Sequence, residues 1–227
     1  MFVKICGITN EQDALLSVAL GADALGFILA PSRRQMTPSA VADIVKRLPP
    51  EIVTFGVFVN EDADIVARIV NETGLVGAQL HGSEGPQTCS SVRAKVRQVI
   101  KAVVGDAPSI FGYLDYPVDA LLVDSEQPGS GRAFDWSALD ASHLNKKIIL
   151  AGGLNPDNVA EAILTVKPYG VDVSSGVEAS IGRKDPVALR AFIANARKAF
   201  LDLESKSDLE AAQAATRPDA FNWEEHL

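Results

Sequence analysis

Residues 2–10 read FVKICGITN, and this stretch decides between the two folds that the rest of the chain allows. The apolar run FVKIC predicts a β-strand, and the turn after it carries a single glycine, Gly7. An open doubly wound sheet usually carries three spaced glycines, G-x-G-x-x-G, after its first strand. The stretch therefore favours the other parallel α/β architecture, a (β/α)₈ TIM barrel.

The rest of the chain repeats the same plan of apolar, β-branched runs separated by helix-like stretches. Several runs are apolar almost throughout, as expected of strands in a parallel sheet that helices cover on both faces. The predicted strands are 2–6, 24–30, 52–59, 76–80, 96–103, 120–124, 147–152 and 170–175. The clearest predicted helices are 10–21, 37–48, 60–74, 155–166 and 185–204, the first with Asn10 as its N-cap.

The spacing of the strands sets the domain organisation. One strand recurs about every 25 residues, close to one βα unit of a barrel of about 200–250 residues. We therefore predict an α/β protein with one barrel domain over residues 1–203. Residues 204–227 are polar and rich in alanine, and we predict a C-terminal extension that is helical or partly disordered.

Composition limits the partners. The 227 residues carry a formal net charge of −8, which argues against nucleic acid as the main partner. No apolar run approaches the length of a membrane span, and the charged start does not resemble a secretory signal. We expect a cytoplasmic protein with no membrane partner. We expect no disulfide between the two cysteines in a reducing compartment, and no metal site, because the two cysteines and three histidines lack metal-ligand spacing.

In a TIM barrel the active site lies at the carboxyl ends of the strands, so residues just after the apolar runs matter most. The seventh and eighth runs end in small residues that let a ligand approach the backbone, where barrels often bind phosphate. Tight turns without a ligand are the alternative. We favour a phosphate site formed by Gly152, Gly153, Ser174, Ser175 and Gly176.

Two acidic residues also stand at or near strand ends. Asp124 ends the sixth run and is a general acid, a helix cap or a structural carboxylate paired with Arg132. The glycine-rich loop behind it, PGSG, suggests a mobile element over a ligand and favours the first role. Asp172 lies within the eighth strand, and if it points inward it must bond a ligand or a neighbouring side chain.

Arg34 and His81 leave two readings each. Arg34 is either a solvated charge or the partner of a ligand carboxylate, with Arg33 as the competing residue for that role. His81 is either a structural histidine or a ligand contact. Cys89 falls in a predicted helix, where a buried thiol acts as a small hydrophobe. Cys6, at the end of the first strand, is either core filler or a reactive thiol.

The strand-end motifs resemble one family, phosphoribosylanthranilate isomerase, over about residues 2–200. The residues that carry the resemblance are KICGIT (4–9), GADALGF (21–27), FGVFVN (55–60), QLHG (79–82), VDS…GSGRAFDW (123–136), LAGGLNPDNV (150–159) and VDVSSGVE (171–178). The resemblance implies a TIM barrel without metal or cofactor. It also implies the Amadori rearrangement of N-(5-phosphoribosyl)anthranilate, a step of tryptophan synthesis, to 1-(2-carboxyphenylamino)-1-deoxyribulose 5-phosphate. The partner is then a small phosphosugar, and the protein a monomer or homodimer.

The resemblance also implies residue roles. Cys6 falls on the family's general base, Asp124 on its general acid, and Arg34 on the arginine that contacts the anthranilate carboxylate. His81 falls on a position near the substrate, and the five phosphate residues fall on phosphate contacts. Gln35 departs from the family's usual tyrosine.

Two other functions remain open from the residues themselves. A related barrel that isomerises a histidine-pathway aminoaldose uses two aspartates, and Cys6 argues against it. A non-catalytic phosphosugar-binding barrel needs neither Cys6 nor Asp124.

Overall fold

The computed structural model describes residues 1–104, 110–124, 139 and 141–215, and it contains a closed barrel of eight parallel strands in sequence order. The first strand pairs with both the second and the eighth, which closes the barrel. The TIM-barrel prediction is therefore confirmed. The strands are β1 (Phe2–Ile5), β2 (Ala24–Ile28), β3 (Val53–Phe58), β4 (Gly77–Leu80), β5 (Gln98–Val104), β6 (Ala120–Asp124), β7 (Lys147–Leu150) and β8 (Gly170–Val173).

Helices surround the strands and begin where the sequence places helix caps. The Asn10 side chain accepts a hydrogen bond from the Asp13 N–H, as an N-cap does. The α-helices are α1 (Glu11–Ala19), α2 (Pro38–Val45), α3 (Ala63–Thr73), α4 (Pro86–Arg93), α5 (Val159–Val166) and α6 (Pro186–Ala215). Short 3₁₀ turns cover Phe111–Tyr113, Ala141–His143 and Ser175–Val177. No helix among the described residues has the length and apolarity needed to cross a bilayer.

The last helix extends further than the sequence predicts. Helix α6 continues past residue 204 to Ala215, so the first half of the proposed extension prolongs the barrel's own final helix. Residues 216–227, including Phe221 and Trp223, lie outside the described residues. The division of the chain at residue 204 stays a prediction.

Strand alternation divides the core into two layers. Outward side chains such as Val3, Ile5 and Phe27 pack beneath the helices. Inward side chains such as Phe55, Ile100 and Leu122 fill the barrel interior. Polar side chains replace the apolar ones toward the carboxyl ends of the strands. The candidate site therefore lies at these ends.

Candidate active site

Cys6 lies at the barrel mouth, directly after β1. Its backbone N–H donates to the Val173 carbonyl at 2.8 Å, which fixes the end of β1 against the end of β8. The side chain is 6% exposed. Both cysteines of the chain, Cys6 and Cys89, are buried free thiols, as expected from the sequence, and Cys89 lies in α4.

Lys4 precedes Cys6 by two residues, so both side chains point into the barrel. The β1–β8 register sets Lys4 opposite Asp172, and the Lys4 Nζ donates to Asp172 Oδ1 at 2.8 Å. Burial acts to lower the pKa of the Lys4 ammonium, but Asp172 and Cys6 outweigh it and raise that pKa above the ordinary value. Asp172 thus finds its partner in a neighbouring side chain.

The charges around Cys6 act in opposite directions on its ionisation. Burial raises the pKa of the Cys6 thiol, which disfavours the thiolate. The ammonium of Lys4 acts against this rise, the carboxylate of Asp172 adds to it, and Lys184 acts against it. Cys6 therefore sits in a buried site where nearby cations offset part of the desolvation.

Arg34 is held beside the mouth by Glu178. Its Nε and one terminal nitrogen donate to the two carboxylate oxygens at 2.8 and 2.7 Å. Glu178 begins β9 (Glu178–Ser180), which forms a small antiparallel hairpin with β10 (Arg183–Lys184) after β8. Arg34 is 8% exposed whereas Arg33 is exposed, and this difference favours Arg34 as the ligand contact.

Lys184 joins the hairpin to the strand ends. Its buried Nζ donates to the backbone carbonyls of Cys6 and Ser174, at 2.8 and 2.9 Å, and lies 3.4 Å from a Glu178 carboxylate oxygen. Burial lowers the pKa of Lys184 below the ordinary lysine value. One buried cation thereby connects the carbonyl of Cys6, the end of β8 and the partner of Arg34.

His81 and Asp124 meet at the mouth from β4 and β6. The His81 Nε2 lies 3.4 Å from Asp124 Oδ2. The Gln79 side-chain nitrogen lies 3.1 Å from His81 Nδ1; when it donates there, Nδ1 is the acceptor and the ring proton sits on Nε2. In this tautomer the buried Nε2–H has no hydrogen-bond partner among the described residues, although Asp124, which is 7% exposed, lies close to it. The alternative partner Arg132 and the rest of the PGSG loop lie outside the described residues.

A second ion pair supports the loop that follows His81. Lys101 donates from β5 to Glu84 Oε2 at 3.0 Å and to the Gly82 carbonyl at 2.6 Å. The same Glu84 oxygen accepts from the Gly82 N–H, and its other oxygen accepts from the Asn60 N–H, both at 2.8 Å. The strand ends that flank His81 are thus tied to one buried carboxylate.

The residues expected to bind phosphate come together. A small cavity at the mouth is lined by both loops and by the two acidic residues: Asp124, Ala151, Gly152, Gly153, Leu154, Asp172, Val173, Ser174, Ser175 and Gly176. A Cβ on Gly176 would lie 1.9 Å from the Leu154 carbonyl oxygen, so only glycine lets the two loops approach this closely. The buried Ser174 Oγ has no hydrogen-bond partner among the described residues, so this hydroxyl is able to bond a ligand.

A larger cavity, of about 600 Å³, lies at the opposite, amino end of the barrel and includes Phe2, Asp23 and Tyr169. We place the site at the mouth instead, because the polar strand-end residues converge there. Among the described residues, no group of three His, Cys, Asp or Glu side chains is arranged to hold a metal ion.

Sequence reasoning missed six residues of this arrangement: Lys4, Gln79, Glu84, Lys101, Glu178 and Lys184. Lys4 and Gln79 had a readable signal, since each is a polar residue at an inward position of an otherwise apolar strand. Glu178 and Lys184 had none, because they lie in a hairpin whose position depends on the folded chain.

Comparison with known proteins agrees with this geometry. The model of the family described as N-(5′-phosphoribosyl)anthranilate (PRA) isomerase matches residues 3–195. An N-(5′-phosphoribosyl)anthranilate isomerase from Desulforudis audaxviator is 46% identical over 202 residues, which cover 87% of this chain and 98% of the relative.

Two solved structures are similar in fold and sequence. The phosphoribosyl anthranilate isomerase of Thermus thermophilus is 42% identical, with a TM-score of 0.80 over 87% of this chain and 99% of that one. A further phosphoribosyl anthranilate isomerase, solved in complex with reduced 1-(o-carboxyphenylamino)-1-deoxyribulose 5-phosphate, is 40% identical, with a TM-score of 0.78 over the same shares.

Proposed function

Because this chain belongs to the N-(5′-phosphoribosyl)anthranilate isomerase family, we propose that Cys6 and Asp124 carry out that isomerisation as general base and general acid. The reaction is an aldose–ketose isomerisation of tryptophan biosynthesis. It converts N-(5′-phosphoribosyl)anthranilate to 1-(2-carboxyphenylamino)-1-deoxyribulose 5-phosphate.

Asp124 acts first in the proposed sequence. Its protonated carboxyl group gives a proton to the ring oxygen of the sugar, the C1′–O bond breaks, and a protonated Schiff base forms between C1′ and the anthranilate nitrogen. His81, whose Nε2 lies 3.4 Å from Asp124 Oδ2, stabilises the charge of the Asp124 carboxylate that remains. The positive Schiff base acidifies the proton on C2′.

Cys6 then removes the C2′ proton as a thiolate. The electron pair of the broken C–H bond forms the C1′=C2′ bond and neutralises the nitrogen, which gives an enolamine. The enolamine gains a proton at C1′ and loses the hydroxyl proton at C2′ to become the ketone. One proton then returns through solvent from Cys6 to Asp124, which restores the enzyme.

Two anchors hold the substrate in this proposal. Arg34 binds the anthranilate carboxylate in the planar, bidentate manner that suits a guanidinium. The backbone and hydroxyl groups of the loops after β7 and β8 hold the phosphate. Strands β1 and β6 are separated by two strands around the barrel, so acid and base reach the sugar from different sides.

The observation that carries the assignment is the mouth cavity, in which Asp124 and Asp172 share one lining with both phosphate loops. Asp172 is bonded to Lys4, which lies beside Cys6. The cavity is therefore lined by the proposed acid, Asp124, and by the proposed phosphate loops, and it adjoins the surroundings of the proposed base, Cys6.

The test is an enzyme assay that follows the consumption of freshly prepared phosphoribosylanthranilate by the loss of its fluorescence. The purified chain is expected to consume it, whereas the Cys6→Ala and Asp124→Asn variants should keep their fold by circular dichroism and lose turnover. Unchanged turnover in either folded variant contradicts the assigned role.

We also propose that the protein is cytoplasmic and is a monomer or a homodimer. Sedimentation equilibrium distinguishes the monomer from the homodimer.

A further inference from the structure

We propose that Lys4 is a positioning residue of this reaction: its buried ammonium is shared between Asp172 and the Cys6 sulfur, and it is the counter-ion that allows Cys6 to exist as a thiolate. The inference rests on the proposed function, in which Cys6 is the base. Lys4 supplies the positive charge that a buried thiolate requires.

The first argument is the burial of Lys4. The side chain is 0% exposed, in the middle of a barrel strand. An ammonium has three N–H donors, and leaving it buried without partners costs several kcal/mol. Asp172 Oδ1, at 2.8 Å, occupies one donor. The Cys6 thiol is the second ionisable group that acts on the Lys4 ammonium and raises its pKa.

The second argument is the space above Gly26. A Cβ built on Gly26 would lie 2.7 Å from Cys6 Sγ and 3.0 Å from Lys4 Nζ, so both atoms lie directly above this glycine. Glycine within a strand often marks a close approach of other groups. The absence of a side chain at this position makes room for the sulfur and the ammonium together.

The third argument is the balance of charge around the sulfur. The charged groups that face Cys6 are Lys4 on its own strand, Asp172 on β8, Lys184 on β10 and Arg34 after β2. Arg34 is committed to Glu178, and Lys184 to two backbone carbonyls and Glu178. Lys4 is the fully buried cation whose Nζ lies together with Cys6 Sγ above Gly26.

The alternative is that Lys4 only neutralises Asp172 and contributes nothing to Cys6. If Lys4 is the counter-ion, removing its charge must raise the pKa of the Cys6 thiol, and removing the Asp172 charge must lower it. A pair that only neutralises itself predicts the same two shifts, because each single substitution leaves one charge unpaired. The two alternatives differ when both charges are removed: a self-neutralising pair then leaves the pKa of Cys6 at the parent value, whereas loss of a counter-ion raises it.

The experiment uses the Cys89→Ala background, in which Cys6 is the remaining cysteine of the chain. With ¹³Cβ-labelled cysteine, a single NMR resonance reports the ionisation of Cys6 as a function of pH, without substrate or reagent. In this background we expect Lys4→Met to raise the titration midpoint by at least about one pH unit, and Asp172→Asn to lower it.

Two further variants keep the test decisive. Lys4→Met leaves the Asp172 carboxylate buried without its partner, which can destabilise the fold. The double variant Lys4→Met/Asp172→Asn removes both charges and so avoids this cost. The titration midpoint of Cys6 in the double variant should still exceed the parent value. Lys146→Met is the control, because Lys146 lies just before β7 and donates to the carbonyls of Tyr116 and Val118, which precede β6 at the amino end of the barrel. Its midpoint should equal that of the parent.

A midpoint of Lys4→Met/Asp172→Asn equal to that of the parent, or shifts of the same sign in Lys4→Met and Asp172→Asn, would overturn the proposal. Turnover is measured separately on the same proteins. If the midpoint of the double variant rises while the kcat of Lys4→Met equals that of the parent, Lys4 is still the counter-ion, and the assignment of Cys6 as the base is what fails.

Discussion

Arg34 and Glu178 are 144 residues apart in the chain, yet their side chains form a two-bond ion pair at 2.8 and 2.7 Å beside the barrel mouth. The pair raises the pKa of the arginine. At Glu178 burial acts to raise the carboxyl pKa, but Arg34 and Lys184 together outweigh it and lower that pKa. Both groups therefore stay charged, and Glu178 fixes the plane of the guanidinium.

This pair gives the first prediction. Glu178→Gln is expected to weaken binding of the reduced product analogue about tenfold, because losing about 1.4 kcal/mol of a charge-assisted contact leaves Arg34 less well held. Isothermal titration calorimetry measures the change. Arg33→Ala, at the exposed neighbour, should bind like the wild type. Tighter binding by Glu178→Gln would instead mean that Glu178 competes with the ligand for Arg34.

Gly26 gives the second prediction. In Gly26→Ala the new methyl group would overlap Cys6 Sγ and Lys4 Nζ, so these atoms must move. A displacement of about 1 Å can lower the rate about 100-fold, so we expect at least that loss in kcat. Overpacking should also cost about 1–3 kcal/mol of the unfolding free energy.

The matched control for this substitution is Gly112→Ala, since a Cβ at Gly112 has no atom within 4 Å. Steady-state kinetics and urea unfolding measure both variants. Wild-type kcat in Gly26→Ala would show that the contact above this glycine is not needed for catalysis.

Ser174 gives the third prediction, in which binding and stability separate. Its Oγ is buried and has no hydrogen-bond partner among the described residues, so Ser174→Ala removes no bond that holds the fold. The unfolding free energy should change by less than about 0.5 kcal/mol. Inhibition by inorganic phosphate should weaken about tenfold, since one charge-assisted hydrogen bond is lost. Equal inhibition constants would remove Ser174 from the phosphate site.

The Glu84–Lys101 pair gives a prediction on pH. Burial acts to raise the pKa of Glu84, but hydrogen bonds from the Asn60 N–H and from Lys101 outweigh it, and the pKa lies below its usual value. A carboxyl group with a lowered folded-state pKa stabilises the fold above its unfolded pKa, near 4.3, and loses that stabilisation as the pH falls through the folded value.

Glu84→Gln leaves Lys101 buried without its anion, so we expect a loss of about 3 kcal/mol at neutral pH. The difference from the wild type should shrink as the pH falls below about 4. Denaturant unfolding across this range measures it. Glu72→Gln alters an exposed carboxylate near Arg68 and should have little effect at any pH. A difference independent of pH would contradict the argument.

Much of the candidate site was predictable because a barrel brings all strand ends to one face. Cys6, Asp124 and the two small-residue loops could be selected by counting strands, without knowledge of any distance. The choice between Arg33 and Arg34 could not be made this way. Adjacent loop residues have the same composition and charge, and only the folded hairpin buries one of them against Glu178.

The amino-acid sequence alone predicts the barrel, the family and the end of the barrel at which the candidate site lies. These follow from local patterns: apolar runs of strand length, their spacing, and the residues that end them. The tertiary structure decided the charge partners, namely Lys4 with Asp172 and Arg34 with Glu178. Alternation along one strand shows that Lys4 and Cys6 share a face. The register between β1 and β8, which places Asp172 opposite Lys4, is set by closure of the whole barrel and therefore depends on every strand.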